Sequence, residues 1–155
     1  MATKRTCEIR PLRPDDLARV VEIDSALAGR SRRGFFEKRL QAALDFADDF
    51  IALGAVDGDR LNGYVIVRLQ SGEFGEDRRS AMLDVIGVDP HLQRAGLGHE
   101  LMKELEKVMK QRGAGELRTQ ISWDQHALAQ FFASRGFSLA PIPVLELQLG
   151  NGLEL

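Results

Sequence analysis

The chain has 155 residues, of which 44% are hydrophobic and 28% charged. This composition suits one compact domain over residues 1–155 and shows no bias toward disorder. The formal net charge of −2 argues against a nucleic-acid partner, because such proteins usually carry a basic face.

The chain contains no segment that indicates a membrane or a secretory route. No apolar run approaches the roughly 20 residues of a membrane helix, and polar sequence follows the first residues directly instead of a signal-peptide core. We therefore expect a cytoplasmic protein with no membrane partner.

Cysteine and histidine give no sign of a metal site. Cys7 is the only cysteine, so we expect a buried apolar thiol in the first strand instead of a disulfide or a nucleophile. The histidines lack ligand spacing with one another, and we predict no metal: they are His91, His99 and His126.

The N-terminal half predicts a strand, two helices and a hairpin. Residues 7–10 form the strand, and Asp15 or Asp16 can cap the first helix. A second helix spans residues 33–46. Residues 50–56 and 61–70 predict strands around the turn at 57–60. Residues expected to face inward from the first helix are Leu17, Val20, Val21 and Leu27.

Two charged features of this half have alternative interpretations. Arg30, Arg32 and Arg33 precede the second helix and most simply solvate its start, although they are also suited to an anionic substrate group or to the phosphates of a ligand. The acidic clusters at residues 45–49 and 73–77 most simply solvate loops, but could attract a cationic amine.

The most informative segment is an apolar strand at residues 82–88 that leads through Asp89-Pro90 and two glycines into a periodic helix. The helix begins at Leu97 and ends at Gly113. A helix N-terminus preceded by glycine presents unpaired N–H groups and the positive end of the helix dipole. This arrangement favours a bound pyrophosphate, although a plain helix-start turn has the same local pattern.

Spacing separates the phosphate-binding motifs that fit this segment. A P-loop needs Lys-Ser/Thr after its last glycine, but Gly98 is followed by His99 and Glu100. The dinucleotide fingerprint needs a third glycine where Leu101 stands. The remaining pattern, Gln93-Arg94-Ala95-Gly96-Leu97-Gly98, resembles the Q/R-x-x-G-x-G/A signature of the GNAT superfamily of acyl-CoA-dependent N-acyltransferases.

The C-terminal part supports that resemblance. The pattern of apolar residues predicts a strand at residues 116–121 and a helix at residues 124–135. It also predicts a last hairpin, formed by residues 137–140 and 144–149. The helix with Gly136-Phe137 resembles the family segment N-x-x-A-x-x-L-Y-x-x-x-G-F, with Gln125 at the Asn position, Phe131 at the Leu position and Phe132 at the Tyr position.

The resemblance implies a mixed α/β (α+β) GNAT fold of order β-α-α-β-β-β-α-β-α-β-β, with a mostly antiparallel sheet and one splayed parallel pair. It also implies acetyl-CoA as cosubstrate and an amine, small-molecule or protein, as acceptor. Assembly as a homodimer stays open. The residues expected to bind acetyl-CoA are Ile86, Val88, Gln93, Arg94, Ala95, Gly96, Leu97, Gly98, His99, Asp124, Gln125, Phe131 and Phe132.

The catalytic groups are less evident. Asp84 and Glu73 are the carboxylates best placed to remove a proton from the acceptor, but Asp84 equally suits a structural ion pair and Glu73 a solvated loop. The family's usual acid position is Phe132, and the one tyrosine is Tyr64. Two alternatives therefore stand beside an enzyme: an acyl-CoA-binding sensor or scaffold without turnover, and a plain nucleotide-binding domain.

Overall fold

Two compact units, Met1–Gln120 and Ile121–Leu155, make up the chain. The computed structural model describes residues 7–71 and 78–150, without the side chain of Arg94. That the two units form a single domain remains a prediction. None of the helices in the described ranges is long and apolar enough to cross a bilayer.

The first unit contains a mixed sheet whose described strands lie in the order β1-β2-β3-β4-β5. Neighbouring strands are antiparallel except β4 and β5, which are parallel. Short 3-10 turns precede α1 and α3. The elements are β1 (Glu8–Pro11), α1 (Leu17–Ala28), α2 (Arg33–Asp45), β2 (Phe50–Asp57), β3 (Arg60–Gln70), β4 (Arg79–Val88), α3 (Leu97–Gln111) and β5 (Ala114–Thr119).

One face of the sheet packs against α1 and α2. This core contains Val20 and Ile23 from α1, Phe36 and Leu40 from α2, and Val56, Leu61, Tyr64, Ile66 and Val85 from the sheet. The predicted inward position of Leu27 is wrong, since its side chain is 43% exposed in the last turn of α1. Asp24, one turn earlier, occupies a buried position instead.

The start of α1 also differs in detail from the prediction. The side chain of Asp16 makes no cap hydrogen bond to α1. Its carboxylate accepts hydrogen bonds from the Arg13 backbone N–H and the Arg10 guanidinium. Asp16 therefore orders the 3-10 turn that leads into the helix.

The hairpin of β2 and β3 forms where the sequence predicts it. Asp57 pairs with Arg60 across the turn, and Gly58 has φ of 60°. A positive φ is a conformation that glycine adopts without strain. The predicted turn at residues 57–60 is confirmed.

β4 contains a β-bulge at Asp84. Ile66 of β3 is opposite Val85, whereas the next residue, Val67, is opposite Leu83. Asp84 is the extra residue between these pairs. Because adjacent residues of β3 face opposite sides of the sheet, Leu83 and Val85 also face opposite sides, and the bulge turns Asp84 toward the face covered by α2.

The second unit contains α4 (His126–Ser134) and no strand among its described residues. The predicted hairpin at 137–140 and 144–149 is therefore wrong. Its alternating leucines are exposed, with Leu145, Leu147 and Leu149 between 81% and 90% accessible. Period-two alternation specifies a face but supplies no hydrogen-bonding partner, and Pro141 and Pro143 have no N–H to donate.

Candidate functional site

The edge of β4 that faces β5 is open over its C-terminal half, in that no strand of the described residues pairs with it there. Pairing between β4 and β5 ends where Leu83 meets Thr119, although β4 continues to Val88. The Thr119 hydroxyl donates to the Leu83 carbonyl over 3.1 Å and closes the paired region. Residues 84–88 therefore leave backbone groups facing a gap, the geometry in which an extended ligand adds as a further strand.

A buried carboxylate orders the turn that follows β4. Asp89 accepts hydrogen bonds from the His91 N–H at 2.9 Å and from Arg19 of α1 at 2.6 Å. Its own N–H donates to the Asn62 carbonyl. The backbone hydrogen bond from His91, with the Arg19 guanidinium, lowers the pKa of Asp89. The turn is thereby held between α1 and the β2–β3 hairpin.

We expect Asp89→Asn to destabilise the protein by about 1.5–3 kcal/mol at pH 7, because it weakens charge-assisted hydrogen bonds. The pKa of Asp89 is lower folded than unfolded, so this stability is present above the ordinary Asp value of about 3.9 and is lost as the pH falls through the folded value. Urea unfolding of both proteins at pH 7 and near pH 3 measures the difference. Asp59→Asn, in the exposed hairpin turn, is the control; a difference that does not shrink at acid pH would contradict the assignment.

The turn ends in a glycine with a left-handed backbone. Gly96 has φ of 81°, and apart from its chain neighbours no atom of the described residues lies within 4 Å of a Cβ added there. Its carbonyl accepts the hydrogen bond from Glu100 N–H that starts the ladder of α3. The N–H groups of the first helical turn precede that ladder. These N–H groups and the positive end of the dipole of this 15-residue helix are suited to an anionic ligand.

The residues predicted to hold the pyrophosphate lie along this turn in the expected order. The side chains of Gln93, Ala95 and His99 are exposed. Leu97 is buried in the core, so it can offer a ligand its backbone alone. Ile86 and Val88 lie in the open-edged part of β4. Their contacts with a ligand remain predictions.

In the structure, Asp84 forms an ion pair with Arg68 of β3. The Arg68 Nε donates to both Asp84 carboxylate oxygens, at 2.9 and 2.8 Å, and Arg39 Nε of α2 lies 3.5 Å from Oδ2. These contacts stabilise the anion and supply the structural ion pair considered above. A role for Asp84 as a base remains a prediction. Glu73 lies outside the described residues.

In the second unit, Phe132 has a local structural role. Gly136 has φ of 91°, and its N–H donates to Ala133 O while Phe137 N–H donates to Phe132 O. These bonds form a Schellman motif, in which the residue after the glycine packs against the last turn. The rings of Phe132 and Phe137 lie 4.8 Å apart.

Of the other residues predicted in this unit, Asp124 and Gln125 are exposed. The Gln125 side-chain oxygen accepts a hydrogen bond from Ser122 N–H at 2.8 Å, and Asp124 lies in the same turn before α4. Phe131 is half-buried, its ring 5.5 Å from that of Phe132. Contact of these residues with acetyl-CoA remains a prediction.

The environments of Tyr64 and Cys7 do not suit acid–base or nucleophilic catalysis, because both groups have raised pKa values. Tyr64 is fully buried, and burial, with the nearby Asp24 carboxylate, raises the pKa of its hydroxyl. Burial also raises the pKa of the Cys7 thiol, with help from Glu100 and Asp57. Neither group ionises readily near neutral pH.

The sequence did not predict three contacts of the site: the link from Arg19 to Asp89, the pairing of Arg68 with Asp84, and the packing of the Tyr64 ring over Gly87, where an added Cβ would lie 2.5 Å from Tyr64 Oη. Each joins residues on different elements. Alternation along β3 could have placed Arg68 on the α2 face, but only the register shows that Asp84 reaches it.

The sequence matches the model of the Acetyltransferase (GNAT) family over residues 17–137. It is 24% identical to mycothiol acetyltransferase from Rhodococcus erythropolis over 131 residues, which cover 80% of this chain and 44% of that protein. The chain thus spans less than half the length of this curated relative.

Solved structures show the same fold. A possible acetyltransferase from Clostridium difficile 630 superposes with a TM-score of 0.77 at 15% identity, over 92% of this chain and 97% of the other. Ribosomal-protein-alanine N-acetyltransferase from Brucella melitensis biovar Abortus 2308 superposes with a TM-score of 0.75 at 18% identity, over 94% and 100%.

The chain therefore belongs to the GNAT family of acetyltransferases. The predicted fold class, a mixed sheet with a parallel β4–β5 pair, is confirmed.

Proposed function

We propose that this protein is an N-acetyltransferase that transfers an acetyl group from acetyl-CoA to a primary amine by direct attack. The observation that carries the proposal is the continuity between the open edge of β4 at residues 84–88 and the Gly96 turn at the start of α3. One extended ligand with a pyrophosphate matches both. Family membership supports the same activity.

In this proposal the backbone binds most of acetyl-CoA. The amides of the pantetheine arm pair with residues 84–88, and the N–H groups of residues 94–99 bind the pyrophosphate. Gln125 or Asp124 would contact the pantetheine, while Phe131 and Phe132 would flank the acyl group.

The reaction needs a neutral amine. Its nitrogen lone pair attacks the thioester carbonyl, the C–N bond forms, and the C–S bond breaks with the electron pair on sulfur. The amine proton goes to a base or to water, and the thiolate leaves as free CoA thiol after protonation. A backbone N–H of the strand would stabilise the oxyanion.

The acceptor's basicity decides how much help the protein must give. A lysine-type amine with pKa about 10.4 costs roughly 4.6 kcal/mol to deprotonate at pH 7, whereas an α-amine with pKa about 7.8 costs about 1 kcal/mol. Because both Asp84 oxygens are held by Arg68, an acceptor of low basicity suits this site better. Glu73 remains the other proposed base.

A screen of small amines and peptides with acetyl-CoA, detecting free CoA thiol, tests the proposal. We expect acetyl-CoA to bind in calorimetry and at least one amine to release thiol above the rate of hydrolysis. Absence of acetyl-CoA binding by the folded protein would contradict it.

An acyl-CoA-binding module without turnover is the second candidate. One observation favours it: Phe132, at the usual position of the acid, has no hydroxyl and is accounted for by its packing on Phe137. Binding of acetyl-CoA without thiol release from any amine would support this candidate over the enzyme.

Phe132→Tyr tests whether a missing acid limits the rate. We expect unchanged acetyl-CoA affinity and a rise in kcat below about 10²-fold, since a general acid contributes that much only when proton transfer is slow. Steady-state kinetics measure kcat, and Phe131→Tyr controls for an added hydroxyl nearby. Loss of acetyl-CoA binding by a folded Phe132→Tyr protein would contradict the expectation.

A further inference from the structure

Arg39, Arg68 and Asp84, here called the Asp84 cluster, carry an excess of positive charge. Two guanidiniums share a single carboxylate: Arg68 Nε is 2.8 Å and Arg39 Nε 3.5 Å from Asp84 Oδ2. The Asp84 side chain is 9% exposed, whereas those of Arg39 and Arg68 are 31% and 35% exposed. The carboxylate is thus covered while both cations reach solvent.

The donors of the two arginines are largely unused. Arg68 binds both carboxylate oxygens through Nε alone, and neither arginine donates an Nη hydrogen bond to another described residue. Arg39 is also stacked on the Phe35 ring, with its Cζ 5.2 Å from the centroid. A guanidinium held by an aromatic face and with free N–H groups is suited to a planar or tetrahedral anion.

The ion pair of Arg32 with Asp24 is a case in the same protein in which the positive charge is fully balanced. Arg32 binds Asp24 through two nitrogens, with its Nε 2.9 Å from Oδ2. That pair is one cation to one anion, and Asp24 is almost fully buried. Among the described residues, the Asp84 cluster differs from it by one positive charge that has no anionic partner.

The position of the cluster connects it with the reaction. Asp84 is the first residue of β4 beyond its pairing with β5, and it lies about 13 Å along the strand from Val88 at roughly 3.3 Å per residue. An acyl-pantetheine arm running from the Gly96 turn along β4 would direct its thioester toward this point. An acceptor at the thioester would therefore lie beside Arg39 and Arg68.

We propose that the acceptor is a small amine that also carries an anionic group, a carboxylate or a phosphate, which Arg39 and Arg68 bind. This inference rests on the proposed N-acetyltransferase function and specifies the substrate class of that site. Binding of the anionic group orients the acceptor. Its amine then lies next to the thioester, at the point where the pairing of β4 with β5 ends.

Matched amines test the substrate class. One series is phenylalanine, its amide and phenethylamine; the other is glucosamine-6-phosphate and glucosamine. We expect the anionic member of at least one series to have a kcat/KM at least tenfold higher, through a lower KM. The two series distinguish a carboxylate from a phosphate.

Arginine variants test the assignment to residues. Arg39→Gln and Arg68→Gln should each raise KM for the anionic amine roughly ten- to a hundredfold, the range for a charged hydrogen bond, and should leave KM for its uncharged analogue and for acetyl-CoA nearly unchanged. Arg68→Gln/Asp84→Asn removes both charges of that pair if Arg68→Gln alone fails to fold. Arg33→Gln, which loses an exposed pair with Glu37 on the same helix, is the matched control.

The outcomes separate this inference from the function on which it rests. Turnover of anionic and uncharged amines with equal kcat/KM would overturn the substrate class and leave the N-acetyltransferase in place. An equal rise in KM for Arg33→Gln would indicate that the anionic group binds at the start of α2. That result would overturn the assignment to the Asp84 cluster. Absence of turnover with every amine would overturn the proposed function and this inference with it.

Discussion

Replacing Gly98 by glutamate should lower the affinity for acetyl-CoA by about a hundredfold, or roughly 3 kcal/mol, while the protein stays folded. Gly98 lies in the first turn of α3, where the proposed pyrophosphate would approach the backbone. A glutamate there adds bulk and like charge to the phosphate position. An acidic residue in the first turn also favours the helix dipole, so the fold should not suffer.

Calorimetric titration with acetyl-CoA measures this loss. Gly98→Ala should retain most of the affinity, and Gly98→Gln separates bulk from charge because it matches glutamate in size. Gly96 is less suitable, since its φ of 81° strains any other residue. If the folded Gly98→Glu protein binds acetyl-CoA with unchanged affinity, the assignment of the pyrophosphate site to the start of α3 is wrong.

Replacing Gly87 by alanine should destabilise the protein by about 1–3 kcal/mol or more, the usual cost of overfilling a packed core. A Cβ at Gly87 would lie 2.5 Å from Tyr64 Oη and 2.6 Å from its Cζ. Tyr64 has little freedom to move, because it is fully buried and its ring packs edge-on against Phe36. The open-edged part of β4 must shift instead, so acetyl-CoA affinity should fall as well.

Denaturant unfolding measures the destabilisation, and Gly34→Ala is the matched control. Gly34 lies in α2, and apart from its chain neighbours and the helix backbone no atom of the described residues lies within 4 Å of an added Cβ. Alanine there should therefore stabilise the helix by about 0.5–1 kcal/mol. Tyr64→Phe should not rescue Gly87→Ala, because the contact with Cζ remains, whereas Tyr64→Leu should rescue it in part. Wild-type stability of Gly87→Ala would contradict the close packing.

Local patterns predicted most of the first unit. The helix from Leu97 follows from its apolar spacing, and the β2–β3 hairpin follows from turn residues between two β-rich runs. The turn after β4 and the start of α3 follow from the glycine pattern, while the pyrophosphate there remains a proposal. These features depend on neighbours within a few residues along the chain.

The features that escaped prediction depend on contacts between elements. The bulge at Asp84 arises from the register of β3 against β4, which no single strand encodes. The burial of Asp89 depends on Arg19, 70 residues away. The last hairpin failed as a prediction for the same reason, because alternation at residues 144–149 says nothing about a partner strand.

The bulge has a consequence for how this strand can change over generations. Removing one residue from a strand normally reverses the faces of everything beyond it, but Asp84 is the extra residue between two correctly facing halves. Deleting its codon would leave Leu83 and Val85 on their present sides, opposite Val67 and Ile66. A lineage can therefore gain or lose this carboxylate, and with it the charge balance beside the gap, without rebuilding its core.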